Sequence, residues 1–118
     1  MATYARQLLS GSTSGAPIKI AQVATPGTLL HTAVAGAASF DEIYAWVTNT
    51  DSADRTLTIE WGGVTDPDNL IVKTLTIPKN SPPIPILSGQ SLNGALVVRA
   101  FASVANVLLI TGHVNRIS

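Results

Sequence analysis

His31 and His113 are the only imidazoles in a chain of 118 residues that has no cysteine. Nucleophilic or metal chemistry would have to pass through them, because a hydroxyl nucleophile needs a base within hydrogen-bond reach and a structural zinc site needs several converging nitrogen or sulfur ligands. Ser39, His31 and Asp41 are the one set from which a Ser/His/Asp arrangement could be assembled. No nucleophile-elbow pattern supports it. His31 lies within a strand-like run and reads as a strand residue with its ring at the surface or hydrogen-bonded in the sheet. Two separated histidines without cysteine argue against zinc.

The carboxylates offer little more. Asp66, Asp68 and Asn69 place oxygens at the spacing of a calcium loop, but the glycine and glutamate that an EF-hand requires are missing, and Pro67 marks a simple turn. Asp41 and Glu42 are adjacent, so on a strand they point to opposite faces and cannot work as a glycosidase pair by themselves. Glu60 stands among threonines on a solvent face. Gly62-Gly63 has neither the Gly-Lys-Ser/Thr sequence nor the following helix of a phosphate loop, and reads as a turn or bulge. Trp46 and Trp61 could build a platform for a sugar, but each sits in an alternating strand, where core packing is the expected role. These residues predict a protein that binds without catalysing: no enzyme, no metal and no cofactor.

Composition points the same way. Apolar residues make up 46% of the chain and charged residues only 12%, against a usual charged share of roughly 25%. Thr, Ser, Ala and Gly fill the gap. Sparse charge protects a surface poorly against association, which favours a subunit of an assembly; a polar, uncharged β domain is the alternative. Arg6, Lys19, Arg55, Lys73, Lys79, Arg99 and Arg116 are spread along the chain and balanced by seven carboxylates, so no basic cluster invites nucleic acid. No apolar run approaches the roughly 20 residues of a membrane-spanning helix, and the first residues carry no signal-peptide h-region. A soluble protein made in a cytoplasm, with neither nucleic acid nor membrane as partner, is expected.

The elements that must position these side chains are strands. The length suits one domain that buries its core without disulfides or metal. Residues 1–17 read as an N-terminal arm followed by a flexible linker, the Ser/Gly-rich stretch from Ser10 to Pro17, and residues 18–118 as a single β-sandwich domain. The arm carries Tyr4, Arg6, Leu8 and Leu9, of which the apolar three would be odd in a floating tail; the arm docks on its own domain or on a neighbouring subunit. From Ile18 onward the periodicity is two, broken by turn clusters. Strands are predicted at Ile18 to Ile20, Thr28 to Val34, Glu42 to Asn49, Arg55 to Trp61, Leu70 to Ile77, Ala95 to Phe101 and Asn106 to Val114. Glu42 to Asn49 is apolar on both faces and reads as a central strand covered on both sides. With the turn formers Asn49 to Asp54 and the clean alternation of Arg55 to Trp61, it gives the strongest hairpin signal in the chain. Ser81 to Ile86 carries three prolines and reads as an edge or crossing segment. Leu87 to Leu92 reads as a turn. The fold class is all-β, an antiparallel β-sandwich of jelly-roll or Ig-like type with about seven to nine strands.

Four stretches resemble a known group of proteins. They are Thr28-Leu29-Leu30-His31-Thr32; Trp46-Val47-Thr48-Asn49-Thr50 with Arg55-Thr56-Leu57-Thr58-Ile59; Leu87-Ser88-Gly89-Gln90-Ser91-Leu92; and Val97-Val98-Arg99-Ala100 leading to Asn106-Val107-Leu108-Leu109-Ile110-Thr111-Gly112. In them the chain resembles the small β-sandwich virion structural proteins of tailed bacteriophages, especially capsid decoration (cement) proteins, over roughly three quarters of its length. The resemblance implies a core hairpin, a turn before a strand, and a closing hairpin. It further implies a homo-oligomer, with a trimer favoured, on the outer capsid surface, bound to the major capsid protein or another virion protein and bracing capsomers against internal pressure. Such a protein is synthesised in the host cytoplasm and ends on the virion, and the family supplies no catalytic residue. The arm residues Tyr4, Arg6, Leu8 and Leu9 are the expected interface. Related sandwiches occur in tails and fibres, so a glycan- or receptor-binding module that uses Trp46 and Trp61 is the alternative.

Overall fold

The structure, a computed structural model, describes residues 3–118. Among the described residues nine strands form two antiparallel sheets: β1 (Tyr4–Leu8), β2 (Ile18–Lys19), β3 (Thr28–Thr32), β4 (Phe40–Asn49), β5 (Arg55–Trp61), β6 (Leu70–Ile77), β7 (Ile84–Leu92), β8 (Val97–Ala102) and β9 (Leu108–Ile117). The first sheet runs β1-β9-β4-β7, with β2 also on β9, and the second runs β3-β8-β5-β6. The pairs β2 with β9, β3 with β8, β4 with β7 and β5 with β6 nest inside one another, as in a long hairpin rolled up on itself. The additional pairs β4 with β9 and β5 with β8 complete the sheets. This is the jelly-roll arrangement of a sandwich.

Alternation builds the core. In β4 the residues Asp41, Ile43, Ala45, Val47 and Asn49 are buried and face inward, while Phe40, Glu42, Tyr44, Trp46 and Thr48 are only partly covered. The strand is central, between β9 and β7, as its pattern predicts. Its outward face is half-exposed, however, and not covered by a second layer. Leu108, Ile110 and Val114 of β9 extend this inward face, and Leu57 and Ile59 of β5 with Val98, Ala100 and Ala102 of β8, in the other sheet, complete the core, with Trp61 packed at the margin. At Leu29/His31 the register of β3 against β8 shifts, and this bulge turns the consecutive residues Leu30 and His31 both into the core.

Several connections depart from the sequence reading. Glu42 to Asn49 and Arg55 to Trp61 do not form a hairpin, because β4 and β5 lie in different sheets. Buried Asn49 drives the crossing: its side-chain amide donates to the carbonyls of Ala53 and Ile77, and its oxygen accepts from the Asp51 N–H. Turn formers mark a reversal but not whether the returning strand stays in the same sheet. The closing hairpin implied by the resemblance is also absent, since β8 and β9 belong to opposite sheets. Among the described residues the only sequential hairpin is β5 with β6. Leu87 to Leu92 is not a turn but most of edge strand β7, where Gly89 at φ 95° forms a bulge between the pairs Ile43/Gln90 and Tyr44/Ser88. Edge position permits its polar, turn-like composition.

The N-terminal arm is a strand. Residues Tyr4–Leu8 pair along β9, Tyr4 opposite Ile117 and Leu8 opposite His113. The stretch that follows is tied down, not a free linker. Gly11 donates its N–H to the Leu30 carbonyl at 2.9 Å, and the Ser10 hydroxyl accepts from the Thr32 N–H at 2.7 Å.

Candidate functional site

The bulge in β3 and the inward register of β4 bring together groups that sequence reasoning only partly linked. His31 Nε2 lies 2.7 Å from Asp41 Oδ2, and both side chains are essentially fully buried. Arg116 of β9 completes the cluster, its Nε 2.7 Å from Oδ1 and its Nη2 2.9 Å from Oδ2 of Asp41, while the Val34 N–H donates to Oδ2 at 3.1 Å. The Ser10 N–H donates to His31 Nδ1 at 3.0 Å. That bond makes Nδ1 an acceptor and therefore leaves the proton on Nε2, directed at Asp41. Burial works to raise the Asp41 pKa, but the hydrogen bonds from Arg116 and His31 together with the Arg116 charge prevail and hold the carboxyl below its usual range. Arg116 is held above its own usual value by the same carboxylate.

His31 and Asp41 thus meet, but not as two members of a nucleophilic triad. Both ring nitrogens are engaged, Nδ1 by a main-chain donor, and the ring has no surface at which Ser39 could deliver a proton. His31 is therefore hydrogen-bonded, as one branch of the sequence reading had it, but in the interior. What the arrangement does is lock three strands: β3 through His31, β4 through Asp41 and β9 through Arg116. Asp41 could have been found from the sequence, because it shares the buried register of Ile43, Ala45 and Val47. Arg116 shares that of Val114 in the same way.

Glu60 is a correction. It is fully buried instead of standing on a solvent face. Its Oε1 accepts the Gly27 N–H at 2.7 Å, its Oε2 accepts the Thr25 hydroxyl, and Arg99 donates to the Gly27 carbonyl at 3.2 Å. The segment before β3 is thereby clamped over the outward side of β5. Period-two reasoning places Glu60 on the correct side of its strand, but cannot see a loop folded across that side. No buried side-chain polar atom among the described residues lacks a partner.

The remaining chemical candidates resolve simply. Asp66, in an exposed turn, pairs with Lys73 of β6 at 3.1 Å, and Asn69 bonds the Thr65 N–H and the Trp61 carbonyl. No group of three metal-ligating side chains occurs among the described residues. Gly62 donates to the Val97 carbonyl at 2.9 Å, as a turn residue after β5. The two tryptophans separate: Trp61 packs against the core, whereas Trp46 points out of the other sheet. They do not share a platform.

The outward face of the β1-β9-β4-β7 sheet holds the most distinctive exposed side chains. Residues directly opposite in an antiparallel ladder share a face. Successive rows across it are Leu8-His113-Tyr44-Ser88, Arg6-Asn115-Glu42-Ser91 and Tyr4-Ile117-Phe40. His113 stacks on Tyr44 with centroids 5.1 Å apart and planes at 16°, and lies 5.9 Å from the Trp46 ring. Burial and the nearby Arg6 cation hold the His113 imidazole below its usual pKa. Gly89 lies under the Tyr44 ring, where a Cβ would come within 3.0 Å of the hydroxyl. Period-two reading assigns Tyr44 and Trp46 to one face; the stack with His113 depends on strand order, which the sequence does not contain.

Of the four arm residues, Tyr4, Arg6 and Leu8 lie on this outward face, with Tyr4 72% and Leu8 55% exposed. Leu9 is different. It is 2% exposed, inside the core of its own domain, and cannot be offered to a partner. The chain turns inward between Leu8 and Leu9, and both residues look alike in the sequence. No protein-family model, no curated protein and no solved structure matches the chain.

Proposed function

We propose that this protein is a structural component of a phage virion, a capsid decoration protein that binds the outer capsid surface as a homo-oligomer and stabilises the shell. One observation carries the reading beyond the sequence resemblance: β1 adds five residues to a sheet without adding to the core, since every one of them is exposed. A strand ordered by its ladder alone, showing Tyr4, Arg6 and Leu8 outward, is costly unless something else covers it. The jelly-roll architecture, which also serves capsid and lectin domains, is compatible with this role without specifying it. Many copies on a repeating lattice need only a modest contact each.

The experiment is co-sedimentation with capsids of the phage that encodes the protein, with light scattering of the free protein to give its oligomeric state. Full-length protein is expected to pellet with capsids at a fixed stoichiometry, and a variant lacking residues 1–7 to pellet much less while remaining folded. Equal pelleting of the two would remove the arm from the interface; no pelleting of either would remove the capsid.

A glycan- or receptor-binding role is favoured by one feature, Trp46 beside the Tyr44-His113 stack on an exposed sheet face. Tryptophan fluorescence separates the readings. Quenching by oligosaccharides that is lost in Trp46→Phe but kept in Trp61→Phe would favour the glycan module.

A further inference from the structure

Two sheets have four edges, and three of these are blunted. β7 carries Pro85 behind Pro82 and Pro83 and is bent at the Gly89 bulge. β3 is covered by the chain after β1, which spends its own groups on it: the Gly11 N–H on the Leu30 carbonyl and the Ser10 hydroxyl on the Thr32 N–H. β6 is broken by two register shifts, has Thr74 at φ 52° and displays Lys73. Bulges, prolines, lysines and covering loops are the devices by which β proteins keep edges from pairing with other chains. β2, which shares the last edge, is only two residues long.

β1 has no bulge, proline or covering loop, and its one charge is Arg6. Thr3 and Ser118 exchange both main-chain hydrogen bonds, so in this antiparallel ladder Ala5 and Gln7 also turn their N–H and C=O toward β9. Tyr4, Arg6 and Leu8 therefore turn theirs to the free edge, where no main-chain group among the described residues meets them. Their side chains share the outward face. Arg6 forms no ion pair among the described residues, and Glu42, in its row, stands two strands away.

We propose that the free edge of β1 accepts an extended strand of another protein, one whose outward face reads apolar, acidic, apolar opposite Tyr4, Arg6 and Leu8. Main-chain bonding supplies attachment, and the alternate side chains supply selection. A second copy of this chain fits poorly in the register that pairs all three edge residues: the two-fold pairing that sets Tyr4 opposite Leu8 sets Arg6 opposite Arg6, and like charges directly opposite are destabilising. Arg6 thus selects against self-association in this register and for a carboxylate. The inference rests on the reading of the arm as an interface and names the chemistry of what the arm takes.

The probes are two capped peptides, Thr-Val-Thr-Glu-Thr-Val-Thr and its counterpart with Lys in place of Glu, added at millimolar concentration to the full ¹⁵N-labelled chain. The amides of Tyr4, Arg6 and Leu8 are expected to shift and gain protection from hydrogen exchange. The Glu peptide should bind about fivefold more tightly than the Lys peptide, and Arg6→Glu should reverse the order. Arg6→Pro removes an N–H that β9 does not use, so it should abolish binding with little change in thermal stability, whereas Arg6→Ala should bind both peptides weakly and alike. The proposal is overturned if these amides do not respond, if both peptides bind the wild type equally, or if the same amides become protected on concentrating the protein alone, which would give the edge to a second copy. Peptide binding without capsid binding would sink the virion reading and leave the edge standing. Undiminished capsid binding by Arg6→Pro would do the reverse.

Discussion

Asp41 takes hydrogen bonds from His31, Arg116 and the Val34 main chain, and every one of them is directed at a carboxylate with no access to water. Burial alone would raise its pKa, but its donors lower it, so the folded-state value lies below the unfolded one. A carboxyl so depressed contributes stability that is fully present above its unfolded pKa, about 3.9, and is lost as pH falls through the folded value. Asp41→Asn should therefore cost on the order of 3 kcal/mol near neutral pH, because it leaves Arg116 without its counter-charge in a half-buried site and sets an amide against donors. The gap between wild type and variant should then narrow below about pH 4 as the wild-type carboxyl takes up its proton. Urea titrations at a series of pH values would measure it. A gap unchanged down to the acid transition would mean that packing, not charge, is what Asp41 provides.

At the scale of the element, β4 and β9 form the longest seam in the molecule, from Phe40 opposite Ile117 to Asn49 opposite Leu108. Gly112 lies in the middle of it, and a Cβ there would overlap the carbonyl oxygen of Tyr44 and reach Ala45 Cα at 3.0 Å. The β4 main chain at Tyr44 and Ala45 cannot yield, so Gly112→Ala should destabilise the domain by about 3 kcal/mol. Gly36→Ala is the control: its φ of 81° is unfavourable for alanine but nothing lies within 4 Å, and the cost should be about 1 kcal/mol. Thermal denaturation of both variants makes the comparison, and equal losses would show that strain alone governs glycine replacement here. β5 and β6 begin and end where the sequence pattern places them, and β4 nearly so, because runs of β-branched and apolar residues bounded by turn formers mark a strand's extent. The pairing of strands is not legible in this way. Asn49 to Asp54 has the composition of a hairpin turn and carries the chain into the opposite sheet, and Leu87 to Leu92 has the composition of a turn and is a strand. The candidate site divides along the same line. Asp41 and Tyr44 are readable from their register, whereas the contacts of Asp41 with Arg116 and of Tyr44 with His113 are fixed by the adjacency of β9 to β4, residues far apart in the chain.

For the molecule as a whole, the division between the fold and its accessory strand falls between Leu8 and Leu9. Leu9 is inside the core with Ile18, Ile20 and Leu30, and the Ser10 N–H beside it caps His31. Residues 3–8 lie along the edge of β9. Removing residues 1–7 deletes a ladder that buries little apolar surface, so the loss should be no more than about 1 kcal/mol, within the range of surface changes that leave a fold intact. Leu9→Ala should instead cost about 2–5 kcal/mol, because it empties a filled position in the sandwich. For a domain of this size each kcal/mol lowers the melting temperature by a few degrees, so calorimetry separates the two cases readily. A truncation that melts as early as Leu9→Ala would make β1 a structural member of the sandwich, and its exposed edge would then lose its claim to be reserved for a partner. A truncation that melts with the wild type leaves a strand whose only return lies outside its own domain.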